Sequence, residues 1–225
     1  LSDALRTRIR LTDLIVGDYT PEAVPETLHW SSEPRCLYAN KLPTHEQFTM
    51  YRAASSSTDY MPFQHKVMII DPAGNGGDEV AFAIGGATNS YVHLMTVGGL
   101  RGGMTEDNMD TLLGLAVEFG VNDIKVEANM GHGVVSALMM GHCEKKQIKG
   151  MLFEDYYAKG QKERRIIDTI SPLTRRHKLI VHARALEDDH NYSMLHARDK
   201  RTVTSAFYQL ANITYDRGSL SCDDR

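Results

Sequence analysis

The sequence has few of the features that would assign a function at sight. There are three cysteines in 225 residues (Cys36, Cys143 and Cys222), far apart and in odd number. None falls in a CxxC or Cys/His finger spacing, so a zinc module and a disulfide framework are both excluded, and reduced thiols are expected. No apolar run has the length of a membrane span. There is one tryptophan, Trp30, and no GxxxxGK[ST] phosphate loop; Gly74-Asn75-Gly76-Gly77 lacks the lysine and hydroxyl that such a loop requires. Nucleotide hydrolysis is therefore not expected of these residues. The start, Leu1-Ser2-Asp3-Ala4, carries neither an initiator methionine nor a signal-peptide pattern and reads as internal to a longer polypeptide.

What is present is an ordinary globular composition, 42% hydrophobic and 24% charged, with a formal net charge of −4. The charge is unevenly spread. Between Ala158 and Lys178 seven basic residues (Lys159, Lys162, Arg164, Arg165, Arg175, Arg176, Lys178) meet two acids, Glu163 and Asp168. The rest of the chain is correspondingly acidic. One basic stretch on an acidic protein is enough to bind an anionic ligand on one face.

Residues 1–60 are weakly periodic and interrupted by Pro21, Pro25, Pro34 and Pro43, as expected of a linker or connector. Residues 61–225 form the patterned part. Lys66-Val67-Met68-Ile69-Ile70 reads as a buried central strand ending at Asp71-Pro72. Alternation at Val80, Phe82 and Ile84, then a run from Tyr91 to Val97, completes an expected three-strand antiparallel meander. A helix follows, capped by Thr105 and ended by Gly120, with Met109, Leu112, Leu113 and Ala116 on its buried face. The spacing then predicts a strand at Asp123–Glu127, a helix through Val134–Met139 and a strand near Arg165–Ile167. A helical turn before Arg176, a strand at Lys178–Val181 and helices near 183–196 and 204–216 complete the order. That order gives an α/β domain with a mixed sheet flanked by helices.

The carboxylates fall where chemistry could use them. Asp71 ends one apolar strand and Glu127 another; a charge in mid-strand would be buried at heavy cost, whereas one at a strand end can face an open cleft. Asp223-Asp224 could supply a third acid. Clustered carboxylates resist joint ionisation unless a cation lies among them, and such oxygen ligands suit magnesium or manganese rather than zinc. Two such ions can activate a water and stabilise the leaving oxygen of a phosphodiester, while the basic stretch holds the polyanion. Other candidates read as structure. Glu187-Asp188-Asp189-His190 has the pattern of a solvated helix face, His132 and His142 of surface or core residues, and Met139-Met140 of core filler.

Several segments together resemble phage terminase large subunits, the DNA maturases of short-tailed phages, in their C-terminal nuclease domain. Val67–Glu79 resembles the opening nuclease motif, and Met95–Gly103 the third strand and its turn. Val126-Glu127-Ala128-Asn129 is similar to the second acidic motif, with Ala128 where serine is usual. Lys159–Ile166 matches the basic segment, and Asp168-Thr169, His177–Ile180, Phe207–Leu210 and Asp223-Asp224-Arg225 keep the order. The resemblance implies an RNase H-like fold and two-metal endonuclease cleavage of concatemeric double-stranded DNA during genome packaging in the cytoplasm of an infected bacterium. It implies Asp71, Glu127 and Asp224 as catalytic metal ligands, with Asp223 competing for the third place and Asp78 and Asn129 in support. It implies two Mg2+ or Mn2+ ions, and Lys159, Lys162, Arg164, Arg165, Arg175 and Arg176 as DNA-binding residues. An ATPase domain, a small terminase subunit and a portal or procapsid are the implied partners, and no membrane. Since the last acidic motif of the family continues beyond the position of Arg225, a frayed third ligand and sluggish cutting with little sequence preference are expected. A junction resolvase or transposase-type enzyme of the same fold, and a non-catalytic DNA-binding connector, are the alternatives.

Overall fold

The computed structural model describes residues 9–72, 79–128 and 133–219. Among these, the strands are β1 (Ile15–Gly17), β2 (Ala23–Pro25), β3 (Leu28–His29), β4 (Tyr51–Arg52), β5 (Ser55–Ser56), β6 (Tyr60–Pro62), β7 (His65–Asp71), β8 (Val80–Thr88), β9 (Tyr91–Leu100), β10 (Asp123–Glu127), β11 (Leu152–Tyr156) and β12 (Leu179–His182). The helices are α1 (Glu106–Glu118), α2 (Val134–Lys146), α3 (Lys162–Arg175), α4 (Ala183–Met194) and α5 (Ala206–Asn212).

Eight strands make one mixed sheet in the order β11-β10-β7-β8-β9-β12-β1-β4. The meander β7-β8-β9 is antiparallel, as its short connections demand. Asn89 and Ser90 close the β8–β9 hairpin with φ of 46° and 67°, the left-handed pair that a two-residue turn requires. All other neighbours in the sheet run parallel. Three of these joins are reached by helical crossovers: α1 leads from β9 to β10, α2 from β10 to β11, and α3 from β11 to β12. The five strands β11-β10-β7-β8-β9 thus have the RNase H-like order, and the fold expected from the sequence is the one observed.

Alternation along the strands divides the core. Met68, Ile70, Phe82, Ile84, Ile124 and Val126 face α1 and α2, where they meet Leu112, Leu113, Ala116 and Met139. Each such fully buried side chain contributes roughly 1.5–3 kcal/mol. The opposite face carries Val97, Leu179 and Val181, packed with Val16, Leu186 and Phe207 and bordered by Ile170 and Leu173 of α3. α1 begins as its sequence predicts: the Thr105 hydroxyl accepts from the Asn108 N–H, and Gly120 adopts φ of 61° just past the end.

Several local expectations are corrected. The strand expected at Arg165–Ile167 lies inside α3; Ile166, Ile167, Ile170 and Leu173 recur at helical spacing and form one packed stripe. β11 is absent from the expected order, because it is an edge strand with Glu154 and Asp155 in its middle. The central strand β7 is buried on one face only, with Ile69 42% exposed on the other. Met139 is core, whereas Met140 is exposed. The helix expected at 204–216 is shorter, Ala206–Asn212. Nor is residue 60 a boundary of the sheet, which takes β1 and β4 from the stretch expected to be a connector.

Candidate active site

The parallel pairing of β7, β10 and β11 sets three side chains in a row. Val126 pairs with Ile70, so Glu127 and Asp71 stand one step further on, each the last residue of its strand. Glu127 in turn pairs with Tyr156, the last residue of β11. Neighbouring strands lie about 4.8 Å apart, so the two acids are adjacent rungs of one ladder. On the other side of Asp71 the row continues through Ala81 and Gly99. These small residues leave space above the sheet, and the N-terminal part of α3 roofs it. The result is a cleft of about 230 Å³ lined by Ile69, Asp71, Ala81, Phe82, Ala83, Val97, Glu127, Tyr156, Lys162, Arg165 and Ile166.

The cleft holds charges of both signs. Lys162 Nζ lies 4.0 Å from Asp71 Oδ2, and both side chains are about one-third exposed (32% and 36%). Arg165 has a buried Nε with no hydrogen-bond partner among the described residues. The Tyr156 hydroxyl donates to Glu127 Oε2 at 3.2 Å. Burial first, then the charges of Glu127 and Asp71, hold the Tyr156 phenol well above its ordinary pKa, so it remains a proton donor. Behind the row, on the other face of the sheet, Ser136 of α2 donates to Asp155.

Two carboxylates on adjacent strand ends, in a cleft open to water, are hard oxygen donors suited to magnesium or manganese. Among the described residues no group of three or more His, Cys, Asp or Glu side chains has metal-binding spacing. The two acids fit such an ion and call for a further donor from water or from elsewhere in the chain. Asp223 and Asp224, expected to supply it, lie outside the described residues, as do Asp78 and Asn129.

The structure brings together Asp71, Glu127, Lys162 and Arg165 and leaves the other basic residues apart. Lys159 precedes α3. Arg164 turns its guanidinium towards the Tyr215 ring, 5.9 Å away. Arg175 and Arg176 stand at the far end of α3, about 15 Å along the helix from Arg165 at the α-helical rise. Tyr156 is the residue that sequence reasoning misses. Its signal is the aromatic-rich run Leu152-Phe153-Glu154-Asp155-Tyr156-Tyr157, whose strand character two acids obscure. The run at 187–190 is not wholly a solvated face either: Asp189 is fully buried, accepting from Ser205 Oγ at 2.6 Å and from the Ala206 N–H at 2.8 Å. His142 is buried against Asp110 at 2.7 Å, on the α1–α2 side of the sheet.

Comparison with known proteins gives this geometry its family. Residues 70–179, which include Asp71, Glu127 and all of α3, match the family model of the bacteriophage T7 terminase ribonuclease H-like domain. The whole chain aligns with the terminase large subunit of Enterobacteria phage T3 at 30% identity over 235 residues, and spans 38% of the length of that relative. Among solved structures, the large terminase nuclease from thermophilic phage G20c is similar at 11% identity and a TM-score of 0.47, over 94% of this chain and 83% of that one. The human cytomegalovirus terminase nuclease domain, Mn soaked, is similar at 12% identity and a TM-score of 0.43, over 66% of this chain and 84% of that one. Residues 70–179 are therefore a ribonuclease H-like domain of the bacteriophage T7 terminase type.

Proposed function

We propose that the protein is the nuclease part of a phage terminase large subunit, and that it hydrolyses phosphodiester bonds of double-stranded DNA with divalent metal held at Asp71 and Glu127. The observation that carries this reading is the row of two carboxylates on adjacent strand ends, facing Lys162 and Arg165 across one cleft. Magnesium or manganese, as one ion or a pair, would supply Lewis acidity and a metal-activated water there. Asp71, one strand from Glu127 and 4.0 Å from Lys162, would be the first ligand, with Glu127 the second. Asp224 or Asp223 is the proposed third, and Asp78 and Asn129 are proposed to support the set.

The residues of the chain then have distinct tasks. Lys162, 4.0 Å from Asp71, would with Arg165 receive the phosphate backbone; an arginine fork suits two phosphate oxygens, and the partnerless Nε has a donor to give. Lys159, Arg164, Arg175 and Arg176 extend a weaker, sequence-independent contact with DNA. The small side chains of Ala81 and Ala83 keep room for the backbone of the substrate. Within a larger protein, residues 1–60 would lead from an ATPase domain, and a small terminase subunit and a portal or procapsid would be the partners. Concatemeric viral DNA in the cytoplasm of the host is the proposed substrate.

A supercoiled plasmid incubated with the protein and Mn2+ or Mg2+ tests the reading. Nicking and linearisation that EDTA stops and Asp71→Asn removes are expected. Salt-sensitive DNA binding with no metal-stimulated cutting would instead establish a connector. A strong preference for four-way junctions over linear duplex would establish a resolvase.

A further inference from the structure

We propose that Tyr156 is a positioning residue for the metal site: its hydroxyl sets the orientation of Glu127, and β11 serves as a brace for this ligand. The inference rests on the proposed nuclease reading, and adds to it a residue that neither acidic motif contains.

Glu127 ends β10, where a side chain of its length has three rotatable bonds to be set. Two contacts from β11 limit that freedom, and a third anchors β11 itself. The Ala128 N–H donates to the Tyr156 carbonyl at 2.9 Å, so the ladder continues past Glu127 and its backbone does not fray. The Tyr156 hydroxyl donates to Oε2 of Glu127 at 3.2 Å, on the side of the carboxylate away from β7. On the opposite face the next side chain of β11, Asp155, accepts from Ser136 and so ties the first turn of α2 to the same strand. Glu127 is thereby held through its carboxylate and through the backbone that follows it, by a strand that α2 anchors on the other face.

The phenol suits this task. It sits at the strand end in register with Glu127, and its hydroxyl reaches one carboxylate oxygen. Taking up one oxygen with a neutral donor turns the other towards Asp71 without cancelling the negative charge that a cation needs. A lysine or arginine at this place would compete with the metal; a phenol orients and does not neutralise. Outer-sphere hydrogen bonds of this kind typically matter about 10- to 100-fold to metal affinity.

The test is Mn2+ binding by titration calorimetry, with no DNA present, on the parent protein, Tyr156→Phe and Glu127→Gln. Tyr156→Phe keeps the ring and its packing, and thermal melting verifies the fold. About tenfold weaker Mn2+ binding is expected for Tyr156→Phe. In cleavage, the Mn2+ concentration at half-maximal rate should rise by the same factor, with the rate at saturating metal and the KM for DNA unchanged. A role in packing alone would leave that metal dependence where it was. Parent-like Mn2+ affinity in Tyr156→Phe, with affinity lost in Glu127→Gln, overturns the positioning role and leaves the nuclease standing. An affinity that neither substitution alters overturns both.

Discussion

Two carboxylate sites, a pair in the cleft and a single acid in the interior, show how a fold separates acids that do chemistry from acids that hold structure. Asp71 and Glu127 end neighbouring strands in a cleft with basic side chains opposite. Asp189 is wholly buried in α4 and has its acceptor sites filled by protein donors: Ser205 Oγ, the Ala206 N–H and His45 Nε2, the last at 2.7 Å. The cleft arrangement concentrates negative charge where solvent and a cation can reach it. The interior one joins α4, the start of α5 and the N-terminal segment around His45 into one buried node. Along the chain the interior one has the stronger semblance of a metal site, because Glu187-Asp188-Asp189-His190 is contiguous. The fold decides otherwise, since contiguous residues on a helix point in different directions while remote strand ends converge.

The sharpest way to break the comparison is to neutralise an acid in each site. Glu127→Gln should lower DNA cleavage on the order of a thousandfold, since a metal ligand contributes several kcal/mol to the transition state. Its melting temperature should hold or rise, because one of two adjacent like charges has gone. Asp189→Ala should do the reverse. Removing the acceptor strands His45, Ser205 and a backbone N–H in the interior, at a cost of about 3 kcal/mol. In a chain of this size that corresponds to a fall in Tm of about 10 °C. The variant that remains folded should cut DNA at near the parental rate. Glu127→Gln with parental cleavage, or Asp189→Ala with a parental melt, would erase the distinction.

Much of the cleft is legible in the sequence because the signals that build it are local. Val67–Ile70 marks β7, and Asp71 is the first polar residue after the apolar run; Asp123–Glu127 alternates, and Glu127 closes it. Thr105 and Gly120 bracket α1. What stays hidden depends on remote pairing. β1 and β4 contain three and two residues, too few to carry a period; β1 is a strand because β12 offers an edge, and β4 because β1 then does. β11 places two acids in its middle, one outward and one against Ser136, so its alternation is polar as well as apolar. Without β11 there is no Tyr156 in the site. The β-branched Ile166 and Ile167 suggest a strand, and only the spacing onwards to Ile170 and Leu173 makes them the face of α3.

A buried pair of histidines sharpens the contrast through pH. His93 and His182 meet in the interior, Nδ1 to Nε2 at 3.2 Å, with Tyr19 and Phe63 around them. Burial lowers the His93 pKa from 6.5 to about 3, helped by the neighbouring His182, and burial lowers His182 to about 4. The folded state thus binds fewer protons than the unfolded state between pH 4 and 6.5. Stability should be fully present above about pH 6.5 and decline as the pH falls towards about 4. Melting across this range should show the decline in the parent and a shallower one in His182→Gln. A parental melt that stays flat from about pH 7 to about 4.5 would mean that these imidazoles accept protons in place. Cleavage, in contrast, should be insensitive to the His182→Gln substitution at neutral pH.

The smallest effect separates the cleft from its own flanks. Arg165 and Arg175 lie on one helix and differ in what surrounds them: Arg165 lines the cleft with a buried Nε awaiting an acceptor, whereas Arg175 ends the helix about 15 Å away. A buried donor gains most from a phosphate oxygen, because it regains a hydrogen bond that folding denied it; an exposed arginine exchanges water for phosphate and gains little. Arg165→Lys keeps the charge and loses the fork, so about a tenfold rise in the KM for DNA is expected, with a salt dependence close to that of the parent. Arg175→Ala should change the KM within about twofold and reduce the slope of log affinity against log salt by about one. The two substitutions therefore differ in kind as well as size, one altering geometry at constant charge and the other altering charge alone. Equal effects on KM from both would mean that α3 meets DNA as a uniform basic surface, and that the cleft has no privileged phosphate contact.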